Sequence, residues 1–393
     1  MSKNTRRTFL KTVGLAVGTA GVVGATTATK NRDEPHAVQN EVADTDSVET
    51  HATGWTFGPV GRMSSSPAVS DGLVYIGPDD GTLRAIDCST GTLTWENDSA
   101  GTKDHLGLTY SDGSVYVGGE YDDDEFRLSS YMGETGELDN QKLVQNEPVQ
   151  TPVVADGTAY YPTENQASPT ILYAVDTETG ETKWTFSGED CGTGATKAIA
   201  EKDGHIFIAQ DRTIWSLDAE TGDVQWSYED TNYSAISDLS AHNDILYVGL
   251  SRDETDPESP NILALDTEDG DTLWCEPIGY HENAQHVTAT DDHLFASMYS
   301  DGSFYLTAIR THDAHEEWEF RAEDGNFVPE STAKDGVVYA GHGSQVTAFD
   351  GATGTKRKTW QTTGDAYGAP VVTDNALYQN TRDGYVHKFD RDE

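Results

Sequence analysis

The side chains best placed for chemistry in this sequence are His281 and His286, with His105 and Lys197 in comparable settings, each close to a short run of small residues. Imidazoles and an ammonium gathered at one mouth of a channel could hold a metal ion or a small anion. Lys103, Asp104, Gln150, Tyr233, Glu330 and Tyr367 occupy similar stretches and would share that pocket. The histidine spacing matches no metal signature, and solvated rim histidines are the simpler reading. The acid runs Asp122 to Glu125 and Asp253 to Asp256 lack the full Asp-x-Asp-x-Asp-Gly loop with its closing Glu, so they read as surface. A Gly-x-Ser-x-Gly elbow and a phosphate-cradling loop are both missing, and Gly192 and Gly194 are too short a motif for a dinucleotide. Cys88, Cys191 and Cys275 contain no Cys-x-x-Cys pair; one disulfide is open to them after export, with no pairing assignable. No catalytic set emerges, and no metal site is assigned.

What would position these residues is a repeat. Ala-x-Asp-x-x-Thr-Gly-x-x-x-Trp runs from Ala85 to Trp95 and again from Ala174 to Trp184. Ser216 to Trp226 changes only the Ala, and Ala264 to Trp274 only the Thr. Ala348 to Trp360 keeps every element and reads as carrying two extra residues before its Trp. Weaker copies lie at Thr307 to Trp318 and at Ser129 to Asn140, and a truncated one ends at Phe389-Asp390. The Asp position recurs about every 43 residues, the length of one four-stranded propeller blade. Eight copies predict an all-β, eight-bladed β-propeller of four-stranded antiparallel blades.

Each repeat follows one grammar. A strand of small residues such as Ser66-Pro67-Ala68-Val69 suits the crowded axis, and an Asp-Gly type turn such as Asp112-Gly113 or Asp374-Asn375 follows. The second strand is β-branched and aromatic, as in Leu73-Val74-Tyr75-Ile76; the third ends in Ala-x-Asp; the outer strand carries the Trp. Asp87, Gly91 and Trp95 therefore have structural work, as do Asp176, Gly180 and Trp184. The same holds for Asp218, Gly222 and Trp226, and for Asp266, Gly270 and Trp274. The Asp caps a turn, the Gly adopts it, and the indole fills the wedge between blades. The last repeat lacks an outer strand, whereas Gly54-Trp55-Thr56-Phe57 is an outer strand without a blade. Pairing the two would close the ring and make residues 54–393 one domain. Blade 2, with its acidic Tyr121 to Phe126 stretch, and blade 5, with Ser251 to Pro260, depart from the pattern and are where specificity would concentrate.

Residues 5 to 11, Thr-Arg-Arg-Thr-Phe-Leu-Lys, precede an apolar, glycine-rich run that is short for a membrane span. They resemble a twin-arginine signal, with cleavage near Ala28 and residues 29–53 as a flexible linker. That implies an exported, extracellular or cell-surface protein, held at the membrane only if the segment is uncleaved. With 68 acidic and 25 basic residues the net charge is −43, spread through the repeats. Such self-repulsion needs salt screening and resembles secreted proteins of halophilic archaea. It also argues against nucleic acid, which calls for a basic footprint. A monomer is expected.

The repeated phrase, at 85–95 and 174–184 above all, resembles the tryptophan-docking motif of quinoprotein alcohol dehydrogenase-like propellers, the eight-bladed pyrroloquinoline quinone (PQQ) repeat superfamily. The resemblance covers everything after residue 54. It implies either a dehydrogenase with PQQ and calcium or a non-catalytic relative, such as the lipoprotein scaffold of outer-membrane barrel assembly. The enzymes imply two adjacent, disulfide-linked cysteines, a Trp floor and a calcium held by Glu and Asn, with a catalytic Asp; none of these can be carried onto this chain by position. The expectation is therefore a non-catalytic scaffold binding a protein or small molecule, without a cofactor, with a PQQ- and calcium-dependent alcohol or sugar dehydrogenase as the alternative.

Overall fold

A computed structural model describes residues 54–63, 65–70, 72–98, 107–122, 125–164, 170–187, 195–229, 233–252, 259–279, 281–322 and 330–391. The signal-like segment, the linker, His105 and Cys191 lie outside these residues. The described residues form 32 β-strands and no helix, arranged as eight four-stranded antiparallel units. Blade 1 runs from Ala68–Val69 to Leu93–Asn97, blade 2 from Leu108–Ser111 to Leu138–Val144 and blade 3 from Val153–Ala155 to Thr182–Ser187. Blade 4 runs from Thr196–Lys202 to Val224–Glu229, blade 5 from Tyr233–His242 to Thr272–Glu276 and blade 6 from Asn283–Ala289 to Glu316–Arg321. Blade 7 spans Ser331–Lys334 to Lys356–Gln361, and blade 8 holds Ala366–Val372, Ala376–Thr381 and Val386–Asp390. The fourth strand of blade 8 is Gly54–Phe57, antiparallel to the third from Gly54 against Phe389 to Phe57 against Val386. The fold is an eight-bladed β-propeller closed by its N-terminal strand.

There are eight apolar clusters, one at each blade junction. Strand alternation produces them. In blade 1, Val74 and Ile76 point to blade 8, whereas Tyr75 points to blade 2. A second strand buried on both faces must be apolar throughout, as Thr158–Pro162 and Val337–His342 nearly are. Around the axis, first strands are tied by hydroxyls: Thr109, Thr288 and Thr332 donate to the carbonyls of Pro152, Ser331 and Pro370 in the next blade.

The inner turns are closed in more than one way. Asp112-Gly113, Asp156-Gly157, Asp203-Gly204 and Asp335-Gly336 have positive φ at both residues, as a two-residue hairpin turn requires. Asp374-Asn375 does not; there the Thr373 hydroxyl receives the Ala376 N–H and closes the turn instead. Ser70 and Thr290 do the same in blades 1 and 6.

The repeated phrase is a docking device. The Asp Oδ1 of Asp87, Asp176, Asp218, Asp266 and Asp350 accepts one or two backbone N–H groups from the following turn. The hydrogen bonds from Ser89 and Thr90 hold Asp87 down to about 2. A register shift beyond the Ala sets Trp184 directly across from Ala174 and Trp95 across from Ala85. From there each indole reaches the next blade. Trp55, Trp95, Trp184, Trp226, Trp274 and Trp318 donate 2.8–3.1 Å hydrogen bonds to the carbonyls of Cys88, Gly133, Ala219, Thr267, Thr311 and Gly351. Each acceptor immediately follows the residue at the Asp position of its repeat, which is Met132 in blade 2 and Arg310 in blade 6. The motif glycine is the floor under the neighbour's ring: a Cβ on Gly222 would lie 2.6 Å from Trp184, and one on Gly354 2.6 Å from Trp318.

Two junctions depart from the rule. Asn140 replaces the Trp of blade 2 and donates through its amide to Thr177 O, the equivalent carbonyl, at 3.4 Å. In blade 7 the residue across from Ala348 is Lys358, and Trp360 faces Val346 farther along. The apparent two-residue insertion before Trp360 is therefore not one: the docking position is Lys358, ten residues after the Ala as elsewhere, and Trp360 is an additional aromatic.

Blade 6 carries Ala314 at the glycine position, with φ of 57° and Trp274 packed against its cluster. An L-residue there costs about 1–2 kcal/mol, only partly offset by the greater unfolded-state entropy of glycine. Ala314→Gly is expected to stabilise the protein by about 0.5–1 kcal/mol, read as a higher urea midpoint. A lower midpoint would mean that the methyl contact with Trp274 outweighs the backbone strain.

Candidate functional site

Antiparallel pairing assigns the connections to two faces. Second-to-third strand loops and blade-to-blade crossings fall on one face; the short inner turns and the capped Asp turns fall on the other. The strand ends that flank the longer links, Arg252 and Ile262 within blade 5 and Arg321 and Ser331 between blades 6 and 7, therefore lie on the first face. The acidic stretch of blade 2 differs from a loop insertion: strands Ser114–Asp122 and Glu125–Met132 extend to form a long hairpin.

The structure separates the two described histidines singled out from sequence. His286 is in the inner strand of blade 6, where its Nδ1 lies 3.7 Å from Asp238 on the inner strand of blade 5. On its other side Nδ1 is 3.5 Å from Glu330, just ahead of the inner strand of blade 7. Asp238 also accepts the Val287 N–H at 3.0 Å, which locks blades 5 and 6 together. Burial within the ring works against charge on His286, but Asp238 and then Glu330 outweigh it and raise its pKa. Glu330 is raised by the same enclosure, with His286 opposing and Asp238 adding. The group is an imidazole set between two carboxylates, drawn from three successive blades.

His281 turns away from the channel. It is 5% exposed, its Nε2 lies 2.6 Å from Glu319 on the outer strand of blade 6, and its ring packs 4.5 Å from that of Tyr305. It carries no channel function with His286. Lys197 is exposed near the start of the inner strand of blade 4. Sequence reasoning missed Asp238 altogether, because Asp238 resembles any polar residue of a short inner strand until its neighbours in two other blades are known. It also passed over His342 and His387, both buried and both pushed down to about 4 by burial.

A quinone and calcium site of the kind the resemblance implies finds little support in these residues. Cys88 packs beside Trp55 at the blade 8–blade 1 junction and Cys275 in the blade 4–blade 5 cluster, so the two are not an adjacent pair. The docking tryptophans lie on outer strands, away from the axis. Among the described residues no group of three or more His, Cys, Asp or Glu is arranged to hold a metal ion; Asp238, His286 and Glu330 are spaced for charge pairing. The described residues offer neither the adjacent cysteines nor the metal ligands of that site.

Comparison with known proteins places this geometry among relatives. The repeat family described as outer membrane protein assembly factor BamB matches at residues 45–107, 99–202 and 172–354. A protein of that description from Yersinia pestis is 26% identical over 237 residues, covering 54% of this chain and 56% of its own length. The chain spans about half the length of the curated relatives it matches. Among solved structures, BamB from Moraxella catarrhalis has a TM-score of 0.67 at 15% identity, over 86% of this chain and 98% of that one. Quinohemoprotein alcohol dehydrogenase from Comamonas testosteroni has a TM-score of 0.66 at 14% identity, over 86% and 76%. Both likenesses are of fold.

Proposed function

The chain belongs to the repeat family described as outer membrane protein assembly factor BamB, and from that premise we propose that it is a non-catalytic scaffold acting outside the cytoplasm. It binds a protein partner through the face that carries the long connections. The observation that supports this most is the use made of the repeat's signature residues. The Asp, Gly and Trp of phrases such as Ala174 to Trp184 and Ser216 to Trp226 are engaged in turn capping and blade docking. The channel cluster Asp238, His286 and Glu330 is likewise engaged in joining three blades. A ring whose repeated grammar is used for docking is a platform, and its loops are left for recognition.

Export by the twin-arginine route accords with residues 5 to 11, and work in molar salt accords with the net charge of −43. The competing reading is an alcohol or sugar dehydrogenase using PQQ and calcium, supported only by shared fold with the Comamonas testosteroni enzyme. Titration with PQQ and calcium in molar salt, followed by tryptophan fluorescence, separates the two. The scaffold should show no saturable quenching and no substrate-dependent dye reduction. Micromolar binding with turnover would make the protein an oxidoreductase.

A further inference from the structure

The junction between blades 7 and 8 lacks the indole-to-carbonyl bond that closes six others, and it is open. A cleft of about 540 Å³ lies there, within the size range of ligand pockets. Its lining includes Arg357, Lys358, Trp360, Arg391 and Tyr339. Arg391 takes the place of the absent indole: its guanidinium lies 5.7 Å over the Tyr339 ring, and its Nε donates to the Tyr339 hydroxyl at 2.8 Å. Lys358 Nζ sits 4.9 Å over the Trp360 ring and reaches the Asp390 carbonyl at 3.3 Å.

The inner lining is rich in donors. Trp360 is 1% exposed and its indole Nε1 is buried without a hydrogen-bond partner, unlike the six docking indoles. The cleft's two carboxylates, Asp335 and Asp374, have side chains 67% and 87% exposed and stand at the rim, paired with Arg391 and Lys334. Three cations, Arg357, Lys358 and Arg391, thus line one cleft in a chain where acids outnumber bases 68 to 25, with Arg357 paired to Asp350 and Arg391 to Asp335. Ammonium and guanidinium groups gathered in this way keep N–H donors that a further carboxylate can take. The cleft also runs beside Lys356–Gln361, the outer edge of blade 7, whose far side has no partner strand among the described residues. An open strand edge accepts an extended peptide through its main chain.

We propose that this junction is a docking site for an extended acidic peptide of a partner protein, laid along Lys356–Gln361 with one Glu or Asp side chain in the cleft. The proposal rests on the scaffold reading and gives that scaffold a partner chemistry. The probe is a fluorescein-labelled hexapeptide of alternating threonine and glutamate, followed by anisotropy at the lowest salt that leaves the far-UV spectrum unchanged. The expected result is saturable binding that falls at least about tenfold with the glutamine counterpart of the peptide, as loss of a charge-assisted bond implies. Lys358→Gln should weaken binding by a similar factor, whereas Lys183→Gln on the blade 3 outer strand should leave it unchanged. Arg357→Gln is the second variant; Arg357 is half exposed and pairs with the turn-capping Asp350, so the urea midpoint of this variant is checked against the wild type. Equal affinity of the wild type and both cleft variants, or no binding at all, overturns the proposal. Competition by free glutamate at the peptide's own concentration also overturns it, by making this a small-carboxylate pocket. The quinone titration is independent of these outcomes, so failure of the cleft and failure of the scaffold reading are distinguishable.

Discussion

Deleting residues 54–57 is expected to abolish cooperative folding. Those four residues are the outer strand of blade 8, so their loss exposes the edge of Val386–Asp390 and opens the ring. Trp55 also stops capping blade 1: its indole bonds to Cys88 O at 2.9 Å, its ring lies over Gly91, and it packs 6.1 Å from Tyr378. Thr56 loses its 3.0 Å bond to buried His387, which also bonds to Thr363. Loss of one large packed aromatic alone costs about 3–5 kcal/mol, a large fraction of the roughly 5–15 kcal/mol that holds a domain together. The deletion variant should show no sigmoidal thermal transition by near-UV circular dichroism. A melting temperature within a few degrees of the wild type would show that ring closure is dispensable.

Trp318→Ala is expected to destabilise the protein by about 3–5 kcal/mol, as for a large aromatic removed from a packed interior. Trp318 is 3% exposed, packs between Phe295 and Phe349 and lies on Gly354. Its indole donates to Gly351 O at 2.9 Å. Trp318→Phe retains much of the wedge and removes the donor, so it should cost about 1–3 kcal/mol, the price of a buried carbonyl left without its bond. Urea denaturation at constant salt reads both. Equal losses in the two variants would transfer the energetics of the junction from the apolar wedge to the hydrogen bond.

Much of this was legible in the chain before folding. The turn caps at Asp87, Asp176 and Asp218 could be read because an Asx turn is a contact between residues two and three apart. The outer-strand Trp could be read because its distance from the facing Ala is set by a hairpin and its bulge. The same locality misled at blade 7. A Trp near the expected distance drew attention from Lys358, and only the register Ala348 against Lys358 shows which residue occupies the docking position. The turn at Asp374-Asn375 looked like its Asp-Gly counterparts, yet the hydroxyl of Thr373, one residue earlier, closes it.

The sequence by itself determined the architecture: the blade period, the number of blades and the strand that closes the ring. These follow from short-range patterns repeated many times, and each repeat reinforces the reading of the others. The tertiary structure alone decided the junctions and the channel. It placed Asp238, His286 and Glu330 together from three blades, buried His281 against Glu319, and brought Arg391 over Tyr339 in the cleft beside Lys358. The physical reason is that a blade's own sequence specifies its four strands, while the groups that meet between blades belong to repeats about 43 residues apart. Their contact exists only once the ring has closed.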